Sequence, residues 1–359
     1  MTIFFDHRIF LHQKSGGISR YIINLSKQFD KLGKDNFISS PIHINIMLKE
    51  HSKIKEEISG KFIGSKPLFT NKILNYLNDK ISSYNFKKID PKVYHQSYYG
   101  EFLCNKRTLK VVTVHDLIHE KFYSDYGSTK NWRPKAKSIE QSDKIICISE
   151  NTKNDLKKYY DIESKDISVI YHGSDHLHNL NCDLNFVRDN FILFIGGRGK
   201  YKNFKRFIEA YSNNDKLKSN FKVVCFGGGK FQKSELNLFE KKKIINFIEY
   251  KEGSDQVLIE LYKKAKCLVY PSLYEGFGLP IIEAMSFGCP VVASNSKSLK
   301  ESCGSAAIFF DPRNSDDMSD KILEAVNLSK NEKIKEGVSH IKKFTWKKSA
   351  EQTLNFYEK

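Results

Sequence analysis

Short apolar runs alternate with helix-like segments along the whole chain, and this alternation begins afresh in the second half. The strand candidates of the first half are TIFF, ISSPIHINIML, VYHQS, LKVVTVHD, KIICIS and ISVIYHG. Those of the second half are FILFIGG, FKVVCFGGG, INFIEY, CLVYPS, PVVAS and AAIFF. Strands separated by helices are typical of βαβ units, whose strands are parallel. The sequence therefore predicts an α/β fold with two doubly wound parallel-sheet domains that face one another across a cleft, with ligands at the carboxyl ends of the strands.

The polar stretch at 173–189 separates the two halves, and a length of 359 residues suits two domains. We predict an N-terminal domain at 1–178, a C-terminal domain at 186–340 and a terminal helix at 341–359. Trp346 in that helix needs an apolar partner. Periodicity leaves open whether the helix closes its own domain or crosses back to the first.

The composition favours a folded protein of a reducing compartment. A hydrophobic content of 40% can bury two cores, and no apolar run approaches the roughly 20 residues of a membrane-spanning helix. The first residues, MTIFFDHRIF, lack a basic segment followed by a long apolar run, which indicates a first β-strand and not a signal peptide. Seven cysteines without a CxxC pair favour buried free thiols and a cytoplasmic location over a disulfide or zinc framework.

The chain is strongly basic, with a formal net charge of +17. Nucleic acid, an anionic membrane surface and a compositional bias without specific meaning are the three explanations. The lysines are spread over the whole length, and no zinc finger, RNA-binding signature or basic tail is present, which argues against nucleic acid. The membrane surface and the compositional bias both stay open.

A basic amphipathic segment in the first half bears on that choice. In TNKILNYLNDKISSYNFKK the apolar residues Ile73, Leu77, Ile81 and Tyr84 recur at helical spacing. Four lysines accompany this stripe: Lys72, Lys80, Lys87 and Lys88. Such a helix can lie in the interface of an anionic membrane. An apolar stripe also commonly packs against the sheet of its own domain, so the sequence allows both interpretations.

The segment EGFGLPIIE places two glutamates, Glu275 and Glu283, on either side of a glycine-rich turn. The turn follows the strand candidate CLVYPS, and Pro280 suits the first turn of a helix. A glycine-rich turn that leads into a helix N-terminus binds anions, because backbone N–H groups point at the ligand. Two carboxylates beside such a site suit the hydroxyl groups of a ligand that also carries phosphate, such as a nucleotide sugar. The alternative is an ordinary turn, with Glu283 exposed on its helix.

Two further glycine turns lead into helices. After the strand FILFIGG, Arg198 and Lys202 flank a turn at which they can bind a diphosphate and stabilise its charge as it leaves. After the strand TIFF, Gly16 and Gly17 can supply backbone N–H groups to the same phosphates. A solvated basic loop and an ordinary tight turn are the respective alternatives. The glycine runs in GGRGKYK and GGGKF complete neither the dinucleotide-binding nor the phosphate-loop pattern, which disfavours nicotinamide oxidoreductases and NTPases.

His115 and Asp116 stand at the carboxyl end of the strand VVTVHD. Together with His119 they could suggest a metal site, but the sequence around them has no ligand pattern. We favour a polar contact of His115 with a bound sugar over a structural histidine. Glu275 and Glu283 could also mimic the acid and the nucleophile of a glycosidase, but the cations and the glycine turns indicate a phosphate leaving group instead.

These segments resemble the retaining glycosyltransferases of family 4, the group-1 glycosyltransferases with two Rossmann-like domains. The resemblance lies in SGGISRY, VTVHDLIHEKF, DKIICISENTKNDL, SVIYHGSD, YKN at 201–203 and EGFGLPIIEAMSFGCPVVAS. It implies a GT-B type fold with an acceptor-binding N-terminal domain, a nucleotide-sugar-binding C-terminal domain and a C-terminal helix that crosses back to the first. It also implies that the enzyme needs no metal and no other cofactor.

The resemblance further implies roles for individual residues. Glu283 would hold the ribose hydroxyls of the donor, Glu275 would sit by the transferred sugar and His115 would lie near the sugar ring. Arg198 and Lys202 would bind the diphosphate. Backbone groups would complete the donor site: Gly16 and Gly17 over the diphosphate, Gly276, Phe277, Gly278 and Leu279 at the sugar and phosphates, and Gly227 with Ile248 and Tyr250 around the base.

The activity implied by the resemblance is transfer of a hexose from a nucleoside diphosphate to a growing, lipid-linked bacterial surface glycan such as O-antigen or capsule. The motifs favour mannose from GDP-mannose, and a UDP-hexose is the alternative donor. A non-catalytic nucleotide-sugar-binding protein is the alternative of another class. Where many relatives have Arg-Lys-Asn, this chain has Tyr201 before Lys202.

Overall fold

The structure is a computed structural model that describes residues 1–52, 60–104, 107–122, 133–175, 188–327 and 332–359. The chain divides into two compact units. The first consists of Met1–Gly173 with Thr345–Lys359, and the second of Ser174–Phe344. Each unit is built on one six-stranded parallel sheet flanked by helices. The predicted class, two doubly wound parallel-sheet domains, is confirmed.

The sheet of the first unit has a reversal in strand order at β1. Its strands, with those of a small separate sheet, are β1 (Ile3–Phe5), β2 (Asn36–Ile38), β3 (Ile42–His43), β4 (Lys61–Phe62), β5 (Val93–Gln96), β6 (Leu109–Val114), β7 (Lys144–Cys147) and β8 (Asp166–Val169). The order is β2-β1-β5-β6-β7-β8 with every adjacent pair parallel, and β3 pairs with β4 alone. Ligands bind at such reversals in doubly wound sheets.

The helices that the first unit forms before Gly173 connect these strands. They are α1 (Arg8–His12), α2 (Gly17–Lys31), α3 (Ile46–Ser52), α4 (Asn71–Ile89), α5 (Ile118–Lys121), α6 (Arg133–Gln141) and α7 (Glu150–Tyr159). Ser149 caps α7, because its side chain accepts a hydrogen bond from Thr152 N at 3.0 Å. Local sequence thus determines where this helix begins.

The single strand predicted for ISSPIHINIML is wrong. The chain instead forms the last residue of β2 and the whole of β3, and then begins α3 at Ile46. Pro41 has no N–H for a strand ladder, which interrupts the run. The Asn45 side chain then accepts a hydrogen bond from Leu48 N at 2.9 Å and caps the new helix.

The second unit has the strand order of a dinucleotide-binding fold. Its strands are β9 (Phe191–Ile195), β10 (Lys222–Phe226), β11 (Ile248–Lys251), β12 (Cys267–Tyr270), β13 (Val291–Ser294) and β14 (Ile308–Phe310). The order β11-β10-β9-β12-β13-β14 is parallel throughout and reverses between β9 and β12. Every residue of β9, β12 and β13 is buried, as expected for a parallel sheet covered on both faces.

The helices of the second unit cover both faces of that sheet. They are α8 (Phe204–Ser212), α9 (Asp215–Asn220), α10 (Lys233–Lys241), α11 (Asp255–Lys264), α12 (Leu279–Ser286), α13 (Lys297–Cys303), α14 (Ser315–Val326) and α15 (Glu332–His340). Short 3₁₀ helices span Lys200–Lys202, Ile245–Phe247 and Ile341–Lys343. None of the helices in the described ranges combines the length and the apolar composition that crossing a membrane requires.

The terminal helix, α16 (Trp346–Glu358), belongs to the first unit, which confirms that it crosses back. Trp346 and Tyr357 share one apolar core with Tyr21 and Phe29 of α2. The chain changes unit after Gly173 and again after Phe344. The predicted bounds at 178 and 186 lie in 176–187, outside the described residues.

The cysteines of the described residues are free thiols, and Cys147, Cys225, Cys267 and Cys289 are buried as predicted. Three of them lie in strands and the fourth just before one. Burial raises the pKa of the Cys225 thiol to about 12, which keeps it protonated and unreactive. These thiols are part of the packed core.

Candidate active site

The reversal in the second sheet brings together two of the loops that the sequence singled out. Strand β9 leads into the turn that carries Arg198 and Lys202, and β12 leads into the segment with Glu275. The two strands are neighbours in the sheet, so their carboxyl ends lie at the same edge. Leu273 N donates a hydrogen bond to Tyr201 O at 2.7 Å, which ties one loop directly to the other.

Lys202 and Glu275 form an ion pair at this edge. Lys202 Nζ lies 2.6 Å from Glu275 Oε1 and 3.1 Å from the hydroxyl oxygen of Tyr270. Both charged side chains are largely buried, so solvent screens the pair less than it would at the surface. The structure therefore places a cation and a carboxylate, both predicted at the reacting sugar phosphate, in direct contact.

Tyr270, the last residue of β12, is a member of this cluster that the sequence analysis did not single out. Burial, together with the charge of Glu275 and a hydrogen bond to it, raises the pKa of the Tyr270 hydroxyl well above its usual value. The phenol therefore stays protonated and can orient the Glu275 carboxylate. Its position just before Pro271, at the end of a strand candidate, was the signal available in the sequence.

Glu283 lies on α12 and is buried, with 5% of its surface exposed. This rules out the alternative of an exposed helix residue. Its Oε2 atom accepts a hydrogen bond at 3.0 Å from the hydroxyl of Tyr262 on α11. Burial raises the pKa of Tyr262 well above its usual value, so this phenol remains a donor. Tyr262 comes from a distant helix, and no local pattern in the sequence indicated it.

The glycine turn between the two glutamates adopts the predicted form. Gly278 has φ 94°, a conformation that favours glycine, and α12 begins at Leu279 with Pro280 in its first turn. A Cβ at Gly278 would lie 2.8 Å from Leu299. The ring of Phe277 packs inward on Phe344 at 5.3 Å between ring centroids, so its backbone is what it can offer a ligand.

Arg198 forms an ion pair and hydrogen bonds with other residues of the second unit. Its Nε atom lies 2.6 Å from Glu235 Oε1, and its Nη atoms donate to Gly227 O at 3.2 Å and Gly229 O at 2.8 Å. The guanidinium also covers the ring of Phe231 at 4.9 Å. Arg198 thus holds the glycine turn after β10. Whether it binds the diphosphate as well stays a prediction.

That turn is the predicted border of the nucleoside base. Gly227, Gly228 and Gly229 all have positive φ, between 73° and 80°. A Cβ at Gly228 would lie 2.4 Å from Gly196 O, so two glycine turns approach each other closely here. The close approach requires glycine and gives the edge of the sheet an open, backbone-lined surface.

The other two residues predicted at the base lie on the neighbouring strand. The Ile248 side chain is part of the core, so its backbone alone can border a ligand. The Tyr250 hydroxyl donates to Glu252 Oε2 at 2.6 Å, and its ring meets Phe231 at 6.0 Å between centroids. The role of both in base binding stays a prediction.

His115 follows β6 in the first unit and is buried. Its ring contacts Tyr21 and His172, with centroid distances of 5.3 Å and 5.6 Å. Burial, with smaller contributions from His95 and Lys135, lowers the pKa of His115 to about 3. The imidazole is therefore neutral at physiological pH and can form hydrogen bonds without carrying charge. Its predicted contact with the sugar stays a prediction.

Asp116 belongs to a buried ion-pair network that the sequence did not reveal. Lys135 of α6 is almost fully buried, and its Nζ donates to Asp116 O and to Glu120 Oε2, each at 2.9 Å. The hydroxyl of Tyr160 donates to Glu120 Oε1 at 2.6 Å. The network fixes the loop that follows His115.

Gly16 and Gly17 lie at the N-terminus of α2. Gly16 has φ 166°, extended backbone that any residue adopts, and open space surrounds the Cβ position of Gly17. Gln13 Oε1 accepts a hydrogen bond from Ser19 N at 3.3 Å, which satisfies one donor of the first turn. Contact of Gly16 and Gly17 with phosphate stays a prediction.

The cluster in the second unit has the chemistry that an anionic, hydroxyl-bearing ligand requires. Lys202 supplies a cation, α12 begins beside Glu275, and backbone N–H groups in the first turn of a helix attract anions. Glu275 and Glu283 supply acceptors for hydroxyl groups. The arrangement favours a phosphorylated sugar compound over a purely apolar ligand.

Two family models match the chain, one in each half. Glycosyltransferase Family 4 matches residues 15–176, and Glycosyl transferases group 1 matches residues 183–339. The chain belongs to the group-1 glycosyltransferases. This confirms the resemblance, and all the predicted site residues of the glycosyltransferase lie within the matched ranges.

Named relatives of this glycosyltransferase include two mannosyltransferases. It is 35% identical to O-antigen chain mannosyltransferase B of Escherichia coli over 47% of this chain and 45% of that protein. It is 31% identical to O-antigen chain mannosyltransferase RfbU of Salmonella typhimurium over 56% of this chain and 57% of that protein. The chain thus matches about half the length of these curated relatives.

The fold is shared with solved glycosyltransferases. S. aureus TarM, in a crystal structure with UDP, fondaparinux and alpha-GlcNAc-glycerol, superposes with a TM-score of 0.78 at 17% identity. The superposition covers 100% of this chain and 99% of TarM. At this identity the likeness supports the fold of the glycosyltransferase and carries no information on its substrates.

Proposed function

We propose that this glycosyltransferase moves a hexose, with mannose from GDP-mannose favoured, to a hydroxyl group of a growing bacterial surface glycan that is linked to a lipid. The contact of Lys202 with Glu275 and Tyr270 near the start of α12 carries the proposal, because it joins a cation to a carboxylate that can accept hydrogen bonds from sugar hydroxyl groups. The names of the two mannosyltransferases that act on O-antigen chains favour this donor sugar and this acceptor.

We infer that the reaction retains the configuration at the sugar carbon C1. The bond between C1 and the leaving phosphate oxygen breaks, and the bond between C1 and the acceptor oxygen forms on the same face. The acceptor proton passes to the leaving phosphate, so the products are the glycoside and the nucleoside diphosphate. Lys202 and the N-terminus of α12 would stabilise the charge that develops on the leaving group.

We also propose that transfer needs no metal ion. Lys202 can neutralise the departing diphosphate, which is the work that a divalent cation does in other transferases. The sequence has no paired carboxylate motif of the kind that such a cation would require.

A UDP-hexose is the second candidate donor, because the sequence motifs that favour GDP-mannose leave this donor open as the alternative. A non-catalytic nucleotide-sugar-binding protein is the candidate of another class. That alternative would need the loss of a catalytic group, whereas Lys202, Glu275, Glu283 and His115 are all present.

A donor screen tests the proposal. Thermal unfolding is measured with GDP-mannose, UDP-glucose and UDP-N-acetylglucosamine, each paired with its free nucleotide. A ligand at a hundred times its dissociation constant should stabilise the fold by about 2.7 kcal/mol. We expect GDP-mannose and GDP to give the largest shift. A larger shift with the uridine compounds would select the alternative donor, and no shift with any compound would contradict nucleotide-sugar binding altogether.

We further infer a cytoplasmic enzyme in peripheral contact with the inner face of the membrane, where a lipid-linked acceptor would be found. The formal net charge of +17 supports attraction to anionic lipid, and the buried free thiols suit a reducing compartment. We propose no role for nucleic acid.

A further inference from the structure

Helix α4 is oriented in its unit with polar residues inward. Asn78 and Ser82 are fully buried on its inner face. The Asn78 side chain accepts from Ile42 N at 2.8 Å and donates to Ile42 O at 3.0 Å. The Ser82 hydroxyl accepts a hydrogen bond from Ser39 Oγ at 3.1 Å. Hydrogen bonds to the β3 region, with Phe86 alone as a large buried apolar side chain, thus hold the helix in place.

The apolar residues of α4 consequently point outward. The stripe that the sequence revealed is exposed to solvent, so it does not pack on the sheet of its own unit. With the loop that precedes the helix it forms one surface, which we name the α4 surface: Leu68, Phe69, Ile73, Tyr76, Leu77, Ile81 and Tyr84.

The exposure of this surface is unlike that of the rest of the described chain. Its members range from 40% exposed for Leu77 to 97% for Phe69. Every other large apolar side chain among the described exposed residues lies between 36% and 38%. Phe69 also has φ 64°, which is unusual for a bulky residue. A contiguous apolar patch of this kind marks an interaction site, because single exposed apolar residues are normal and clusters are not.

Positive charge surrounds the α4 surface. Its flanking lysines are Lys66, Lys72, Lys80, Lys87 and Lys88. None of them forms an ion pair with another residue of the described ranges. The one acidic residue of the helix, Asp79, is partly exposed, and its Oδ1 atom lies 3.6 Å from His7 Nε2 and 3.8 Å from Arg8 Nη2, so its charge is paired within the unit. The outward charge of the patch is therefore positive.

We propose that the α4 surface docks the N-terminal unit on an anionic lipid bilayer, which deepens the peripheral membrane contact inferred above and rests on it. Leu68 and Phe69 would enter the acyl boundary, and Tyr76 and Tyr84 suit the interfacial layer, where an aromatic body and a polar tip are both satisfied. The lysines complement anionic headgroups. A neutral apolar protein partner would leave those ammonium groups without counter-charges.

Vesicle co-sedimentation of the full chain tests the proposal. The vesicles are of phosphatidylcholine alone or of phosphatidylcholine mixed with phosphatidylglycerol, each at low and at high salt. We expect the wild type to sediment with the mixed vesicles at low salt and to be released as salt screens the lysines. Leu68→Ser with Phe69→Ser should weaken this binding at least about tenfold, since two apolar side chains lose their burial.

Matched variants isolate the surface. Leu236→Ser with Phe247→Ser removes the same residue types from the other unit, and we expect it to bind vesicles like the wild type. Lys72→Gln with Lys80→Gln should lower binding to the anionic vesicles by about fivefold per lysine. Lys157→Gln with Lys158→Gln, on α7 of the same unit, should have a much smaller effect.

Three results would overturn the proposal: wild type in the supernatant under all conditions, equal binding to both vesicle types, or equal loss of binding in the two double serine variants. Self-association that Leu68→Ser with Phe69→Ser abolishes would instead identify a second copy as the occupant. Donor-induced thermal stabilisation is measured on the same variants without vesicles. If the donor still stabilises the protein but no vesicle binding is seen, the docking proposal is wrong and the proposed transfer is unaffected. Vesicle binding without any stabilisation by a donor would contradict the proposed transfer and leave the docking proposal standing.

Discussion

The ammonium group of Lys202 lies 2.6 Å from a carboxylate oxygen of Glu275, so each of these two charges is balanced by the other. The negative diphosphate of a donor would compete with Glu275 for the lysine. A sugar that draws the carboxylate to a hydroxyl group would release Lys202 towards the phosphate.

Lys202→Ala should reduce the rate of donor turnover by about 10²-fold or more, because the charge on the diphosphate grows as the glycosidic bond breaks. Donor affinity should change much less. Steady-state kinetics of sugar transfer measure both effects. The matched control is Lys205→Ala, which removes an exposed lysine on α8 and should leave the kinetics unchanged. Equal losses in the two variants would show that the site lies elsewhere.

Tyr262→Phe should weaken donor binding about tenfold, because a hydrogen bond to the charged Glu283 contributes about 1.5–3 kcal/mol. The ring stays in place on Phe287, so the helix should remain folded. Tyr211→Phe is the control, since its hydroxyl donates to Phe221 O at 2.7 Å in the same unit. We expect that variant to lose stability but keep donor affinity, as measured by titration calorimetry. Unchanged affinity in Tyr262→Phe would argue against a role of Glu283 at the donor.

Arg198→Ala should reduce both stability and donor affinity, in contrast to Lys202→Ala. It leaves Glu235 without its partner and frees the carbonyl groups of Gly227 and Gly229, a loss of about 2–4 kcal/mol in unfolding free energy. Chemical unfolding and donor titration give the two quantities. Arg206→Ala breaks a comparable contact with Pro312 O and should affect stability alone. A purely kinetic defect in Arg198→Ala would instead favour a direct role at the diphosphate.

Acid should destabilise the first unit through its buried histidines. Burial lowers the pKa of His95 and of His115 to about 3, whereas an unfolded histidine titrates near 6.5. The unfolded state therefore binds more protons between these values, so stability is full above about pH 6.5 and falls as the pH drops towards 3. Well below pH 6.5 each of the two histidines should lower the free energy of unfolding by up to about 1.4 kcal/mol for every pH unit of acidification. His95→Gln should flatten the pH dependence of urea unfolding, and an unaltered slope would refute this account.

Activity should survive EDTA, since Lys202 and the N-terminus of α12 are expected to carry the charge compensation. The comparison is the initial rate of sugar transfer before and after dialysis against the chelator. Loss of activity that manganese restores would overturn the proposed metal independence.

The sequence alone determined the class of fold and the segments of the site. The alternation of strands and helices was sufficient to predict two parallel sheets, because the apolar run of a buried strand is visible in a few consecutive residues. The turns at Gly278 and at the start of α7 were predictable for the same reason, since a glycine or a cap acts within a few residues. The prediction of one strand for ISSPIHINIML was wrong because Pro41 interrupts the strand and the Asn45 side chain caps a helix.

Only the tertiary structure decided which groups meet. The contact of Tyr262 with Glu283 and that of Arg198 with Glu235 join helices and loops far apart in sequence, and no local spacing encodes them. The same holds for α4, because the sequence left open whether its apolar stripe packs on the sheet or is exposed. The hydrogen bonds of Asn78 to Ile42 turned that stripe outward, because a buried amide is stabilised only where the partner strand offers its backbone. The periodicity of a sequence predicts that a helix has an apolar and a polar face, and only the packing of the folded chain determines which face is exposed to solvent.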